Sequence, residues 1–155
     1  MKPIHLYIRD VDGQQIAASE EMLQESKVTV EGMGEVALSS RALIEEYFGG
    51  GTWHTVTLKG PMKYKDEAAI EKAITVLTSE KEWERQSERY YAVLVAHMTE
   101  SWTFTQSDGT PLPITEEGFG ELHDMVAKIL AVTVQSRLFP AWTKKQDFTT
   151  PSTSA

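Results

Sequence analysis

The spacing of the apolar residues changes near residue 60, and this change limits the folds that the chain can adopt. Before it, β-branched, aromatic and aliphatic residues are concentrated in short runs such as 4–9 and 52–58, which are typical of strands. After it, apolar residues recur every three or four positions, which is typical of amphipathic helices. We therefore predict an α+β fold with a small β-rich part at 1–60 and a helical part at 61–138.

Turn signals divide the first part into short strands. Asp12-Gly13 follows the first run, and 28–30 and 36–38 flank a glycine-containing turn at 32–34, which predicts a β-hairpin. Ser39 or Ser40 is a suitable N-cap for a short helix through Tyr47, and the three glycines at 49–51 would end it. A further strand is predicted at 52–58.

Three main helices are predicted in the second part. The first covers 66–77, the second begins with a capping-box pattern at 79–82 and continues to about 101, and the third begins after Thr115 as N-cap. The last segment, 139–155, has too little apolar content to pack and is predicted to be a flexible tail. Whether 1–60 forms a lobe of its own or shares one domain with 61–138 stays open.

Composition excludes several kinds of site. The chain has no cysteine, so disulfides, thiolate metal sites and thiol catalysis are impossible. Its formal net charge is −8, and the acidic excess is the same in 1–60 and in 61–155, so no basic surface for nucleic acid is expected. The sequence contains no run of about 18 apolar residues, which a membrane-spanning helix would need. The N-terminus does not resemble a signal peptide, so we expect a cytoplasmic protein.

No motif predicts catalysis or a cofactor. The sequence contains neither a dinucleotide-binding glycine pattern nor a phosphate-binding loop. Asp10-Val11-Asp12-Gly13 begins like a calcium loop, but Gln15 stands where that loop needs glycine, so a β-turn is favoured. His97 and Glu100 are correctly spaced for two metal ligands, although a stable site needs a third. We therefore expect a non-catalytic protein without metal or cofactor.

Five aromatic residues in the helical part are candidates for binding a partner. They are Trp83, Tyr90, Tyr91, Trp102 and Phe104. Such side chains either anchor the protein's own core or form a groove for an apolar segment of another protein. The core is the default, because an amphipathic helix normally buries its aromatic stripe within its own domain.

Two segments together resemble a known protein family. Residues 56–66 read Val-Thr-Leu-Lys-Gly-Pro-Met-Lys-Tyr-Lys-Asp, and residues 100–115 contain Trp102 followed by the turn Asp108-Gly109-Thr110-Pro111-Leu112-Pro113 and then Thr115. This arrangement resembles the tail assembly chaperones of long-tailed (siphovirus-type) bacteriophages and prophages. The resemblance covers about half of the chain, and within it Asp108, Gly109, Pro111 and Pro113 form the family-like turn.

The resemblance implies a function in virion assembly. Proteins of that family are non-catalytic, act in the cytoplasm of the bacterial host, and bind the tape-measure protein and other tail proteins before the tail tube polymerises. An unassembled tape-measure protein exposes long apolar helix faces that aggregate unless they are covered. Two alternatives stay open: a structural tail or head–tail connector component of the virion, and a small acidic inhibitor of a host protein. The sequence also leaves homo-oligomerisation open.

Overall fold

The structure is a computed structural model of the chain. It describes residues 1–22, 26–32, 34–38, 40–78 and 83–139, of which 26–30, 34–38 and 40 are described by their backbone alone. The predicted tail, except for its first residue Phe139, and the predicted capping box at 79–82 lie outside these ranges.

The chain is an α+β protein, as the sequence predicts. An antiparallel sheet is built mainly from the first sixty residues, and most of the helical residues come after it in the chain. In order, the elements are β1 (Ile4–Val11), β2 (Gln14–Ser19), a 3₁₀ turn (Glu20–Met22), β3 (Ser26–Val30), β4 (Gly34–Leu38), α1 (Ser40–Phe48), β5 (Thr52–Leu58), α2 (Tyr64–Ile74), β6 (Thr75–Leu77), β7 (Trp83–Arg85), a 3₁₀ turn (Ser87–Arg89), α3 (Tyr90–Met98), β8 (Thr99–Trp102), α4 (Glu116–Gly120) and α5 (Asp124–Leu138).

The main sheet joins strands from both parts of the chain. Its order is β2-β1-β5-β8 and all its pairs are antiparallel. The predicted turn joins β1 to β2, with Asp12 and Gly13 at φ of 50° and 82°. The predicted hairpin is β3–β4. β8 comes from the helical part but pairs with β5, so 99–102 completes the sheet that 1–60 begins.

Side-chain alternation places a core on each face of this sheet. Ile4 and Leu6 of β1 and Val56 of β5 are fully buried against α2, α3 and α5. Tyr7 points to the opposite face, where it packs with Ile44 of α1. Successive residues of a strand point to opposite faces, so β1 can contribute to both cores. Helices therefore cover the sheet on both sides.

The prediction of one helix from about 80 to 101 is wrong. Trp83–Arg85 forms β7, α3 covers only Tyr90–Met98, and Thr99–Trp102 is a strand. In a continuous helix Glu84 would face Glu88 and Arg85 would face Arg89, and like charges at this spacing destabilise a helix. At the other end, Thr99 takes the extended conformation with φ −86° and ψ 125°, which starts the pairing with β5.

The other two predicted helices need smaller corrections. The first covers Tyr64–Ile74, and the β-branched Thr75 and Val76 that follow it belong to β6. Thr115 is an N-cap as predicted, since its hydroxyl accepts a hydrogen bond from the backbone N–H of Gly118 at 3.0 Å. The helix that it begins is α4, which ends at Gly120, and a separate helix, α5, starts at Asp124.

Among the helices in the described ranges, none is long and apolar enough to cross a membrane.

Candidate functional site

Four of the five aromatic candidates form two separate pairs, and Trp83 lies apart from both. Trp102 and Phe104 are in ring contact at 5.3 Å, and Tyr90 and Tyr91 are in ring contact at 5.3 Å. Within the described residues no ring contact links the two pairs, and Trp83 belongs to β7, outside the main sheet. The structure therefore provides two candidate surfaces, one near Trp102 and Phe104 and the other near Trp83.

Trp102 and Phe104 are part of the domain's own packing. Phe104 is buried, and Trp102 is partly buried against the main core. The indole N–H of Trp102 donates to the carbonyl oxygen of Leu112 at 2.7 Å, and the backbone N–H of Leu112 donates to the carbonyl of Phe104 at 3.0 Å. These bonds fold the segment 103–113 back on itself as a loop.

The family-like turn lies at the tip of this loop. The Asp108 carboxylate accepts hydrogen bonds from the hydroxyl of Thr110 at 2.6 Å and from its backbone N–H at 3.0 Å. These two bonds lower the pKa of the Asp108 carboxyl, the hydroxyl having the larger effect. Gly109 has φ of 87°, a conformation that favours glycine. Asp108 and Gly109 thus have a structural role in shaping the loop.

The same loop is packed tightly against α4. A Cβ atom at Gly118 would collide with the carbonyl oxygen of Pro113. Glycine at 118 therefore allows the two backbones to approach closely. Pro111 lies on the same arm of the loop as Pro113 and forms a β-bridge with Thr105 on the opposite arm.

The loop forms one wall of an open cleft of about 1070 Å³. The turn between β1 and β2 forms a second wall, and α4 with the first turn of α5 forms a third. His54 and Phe104 lie at its base. The alternation of β5 directs His54 to the same face as Val56, which places the imidazole beneath the loop.

His54 is an uncharged group at the base of this cleft. Its ring stacks on Phe104 with centroids 5.2 Å apart and an interplanar angle of 21°. Its Nδ1 is 3.3 Å from the hydroxyl oxygen of Thr103. Burial lowers the pKa of His54, an effect that a hydrogen bond from the imidazole to the backbone of Thr103 partly opposes. The imidazole is therefore neutral at neutral pH.

His123 connects two walls of the cleft. Its Nδ1 accepts a hydrogen bond from the backbone N–H of Met125 at 3.2 Å, which caps α5. Its Nε2 lies 3.4 Å from the backbone nitrogen of Gln15 and 3.3 Å from the side-chain oxygen of Gln14. This contact ties the β1–β2 turn to the start of α5.

The lining of the cleft carries negative charge. Asp10, Glu117 and Glu121 belong to it, and no lysine or arginine does. Within the described ranges, none of these three carboxylates forms an ion pair. The cleft therefore has a field that favours positively charged groups.

The second candidate surface is on the β6–β7 hairpin. Leu77 and Trp83 are directly opposite each other across the two strands, and their exposed fractions are 55% and 70%. Trp83 lies on the same face of β7 as Arg85, two residues further on. The guanidinium of Arg85 covers the ring of Tyr90 at 5.4 Å, and Tyr90 contacts the exposed Tyr91. We call Leu77 and Trp83 the hairpin patch.

The pair His97 and Glu100 does not converge on a common point. His97 Nε2 is instead 3.0 Å from a carboxylate oxygen of Asp66, which joins α3 to α2. This bond is the main cause of a lowered pKa for the Asp66 carboxyl, and a hydrogen bond from the backbone N–H of Lys63 adds to it. Glu100 is exposed on β8. In the described part of the chain, no three His, Asp or Glu side chains are grouped so that they could hold a metal.

The comparisons with known proteins are negative. The chain matches no family model, no curated protein and no solved structure. The resemblance to tail assembly chaperones thus rests on the two segments at 56–66 and 100–115 alone.

Sequence reasoning did not find the cleft or Leu77. The lining of the cleft comes from five separate elements, which only the fold brings together. One signal was available, because His54 has the same strand parity as the apolar Val56 and Leu58. From the sequence, Leu77 is predicted to belong to a helix. Its position opposite Trp83 depends on the pairing of two strands, and that pairing was not predicted.

Proposed function

We propose that this protein is a non-catalytic tail assembly chaperone of a long-tailed bacteriophage or prophage, acting in the bacterial cytoplasm. In this proposal it binds the tape-measure protein and keeps it soluble until tail proteins assemble around it. The observation that carries the proposal is the hairpin patch, where a tryptophan and a leucine are paired across two strands and left largely exposed. The resemblance of 56–66 and 100–115 to the chaperone family supports the same conclusion.

The hairpin patch has properties that a reversible contact with an apolar helix requires. Single exposed apolar side chains are ordinary on protein surfaces. Here, however, Leu77 and Trp83 are direct neighbours, and a tryptophan at the centre of an interface contributes much of the binding energy. Charged groups such as Glu84 and Arg85 lie on the same hairpin, as is typical of the polar rim of a non-obligate interface.

A coexpression experiment tests this function. The chain is produced together with the tape-measure protein encoded in the same phage or prophage genome, and both the soluble yield and the copurification of that protein are measured. We expect the wild-type chain to raise the soluble yield and to copurify with the tape-measure protein. Trp83→Ser should weaken binding by at least about tenfold, because a central tryptophan anchor is removed.

Tyr47→Ser is the matched control for this substitution. Tyr47 is an aromatic residue on α1 that is 84% exposed and lies outside the hairpin patch, so its loss should leave binding unchanged. A tape-measure protein that stays insoluble with the wild-type chain, or that binds the Trp83→Ser variant as well as wild type, would refute the proposal. Abundant copies of the chain in purified virions would support a structural component instead.

A further inference from the structure

The cleft beneath the 103–113 loop is large enough for a peptide. Its volume of about 1070 Å³ lies just above the range for small-molecule pockets, about 300–1,000 Å³. It is open to solvent and has walls from the β1–β2 turn, the loop and α4. Such a trough suits an extended segment of chain better than an enclosed small ligand.

The charged side chains of the cleft determine which kind of peptide segment it can bind. Asp10, Glu117 and Glu121 are all exposed and come from two different walls. The lining has no lysine or arginine, and His54 at the base is uncharged because burial lowers its pKa. A phosphate or an acidic peptide would meet three like charges without a compensating cation, so anionic ligands are disfavoured.

The apolar part of the lining complements the stems of basic side chains. Ile8 and Leu122 are partly exposed at the base and Pro113 is exposed on the loop. Lysine and arginine bury their methylene groups against apolar surface while their charged heads stay close to water. A basic side chain lying over these residues could place its head group next to the carboxylates.

We propose that this cleft binds an extended segment of a partner protein that carries lysine or arginine side chains. The carboxylates of Asp10, Glu117 and Glu121 receive the cationic head groups, and Ile8, Leu122 and Pro113 contact their stems. The site is independent of the proposed function, because none of its lining residues belongs to the hairpin patch.

Calorimetric titration with defined peptides tests the site. The probe is an acetylated peptide of about a dozen residues in which lysines alternate with serine and leucine, and its partner probe has glutamate in place of every lysine. We expect the full-length protein to bind the lysine peptide, to bind it more weakly at high salt, and not to bind the glutamate peptide. Asp10→Asn, Glu117→Gln and Glu121→Gln in combination should lower affinity by about tenfold or more.

A second triple variant controls for the change in net charge. Glu46→Gln, Glu88→Gln and Glu100→Gln remove three exposed carboxylates elsewhere and should leave peptide affinity unchanged. Equal losses in the two triple variants would overturn the proposal, since binding would then follow net charge alone. Equally tight binding of spermidine would overturn it in favour of a small polyamine.

Two more measurements distinguish a partner segment in the cleft from the chain's own end and from the hairpin patch. If the peptide bound only after removal of residues 140–155, which contain Lys144 and Lys145, the occupant would be the chain's own end and the proposal would be wrong. Trp83→Ser should not change peptide affinity at the cleft, whereas it should reduce binding of the tape-measure protein. The two proposals can therefore fail separately.

Discussion

At the scale of single residues, Trp102 shows how one side chain holds the 103–113 loop in place. Its ring packs on Phe104, and its N–H donates to the carbonyl oxygen of Leu112 at the far arm of the loop. Trp102 was a candidate for partner binding, and the structure gives it a role in shaping the wall of the cleft.

We predict that Trp102→Ala lowers the free energy of unfolding by about 3–5 kcal/mol, because it removes a large ring from the edge of the main core. The measurement is urea denaturation followed by circular dichroism. Trp102→Phe keeps most of the ring contact and loses the hydrogen bond to Leu112, so it should cost about 1 kcal/mol. Wild-type stability of Trp102→Ala would show that the ring does not contribute to the core.

At the scale of secondary-structure elements, the close approach between the loop and α4 depends on one glycine. We predict that Gly118→Ala destabilises the protein and shifts α4, even though alanine favours helices more than glycine by about 1 kcal/mol. The reason is the collision of the new Cβ with the carbonyl oxygen of Pro113, a backbone atom that cannot rotate away. The melting temperature measures the effect. Gly120→Ala is the control, because a Cβ there meets no atom within 4 Å.

Some strands could be predicted from the sequence, whereas other strands and the cleft could not. β5 was predicted with its observed bounds, and the hairpin at β3–β4 was recognised, because alternation and glycine turns are local signals. The strands β7 and β8 were missed because they flank α3 and were assigned together with it to one long helix. β8 depends on a partner distant in sequence, because it pairs with β5, about forty residues earlier, whereas β7 pairs with the neighbouring β6. The cleft was missed for the same reason, since its walls are assembled by tertiary contacts.

At the scale of the whole molecule, hydrogen bonds and an ion pair connect the beginning and the end of the described chain. The guanidinium of Arg137 on α5 donates to the carbonyl oxygens of Lys2 at 2.6 Å and Pro3 at 3.2 Å, and it forms an ion pair with Glu21. The main core likewise combines Ile4 of β1 with Leu130 of α5. Burial of these apolar residues needs both parts of the chain.

We predict that a fragment comprising residues 61–139 does not fold cooperatively, because it loses β1 and β5 and exposes the apolar faces of α2, α3 and α5. Thermal denaturation followed by circular dichroism would then give no sigmoidal transition. The control is a chain of residues 1–139, which keeps every described element and should melt cooperatively. A cooperative transition in the fragment would identify 61–138 as a separate domain.

The exposure of Trp83 gives the protein a natural optical reporter. The indole on the hairpin is surrounded mainly by water, whereas Trp53 and Trp102 are partly buried. Its fluorescence is therefore emitted at longer wavelength and is open to collisional quenchers such as iodide. Any molecule that covers the hairpin shifts this emission to shorter wavelength and protects it from quenching, so in a chain of residues 1–139, which lacks Trp142, occupancy of the surface can be followed without attaching a label.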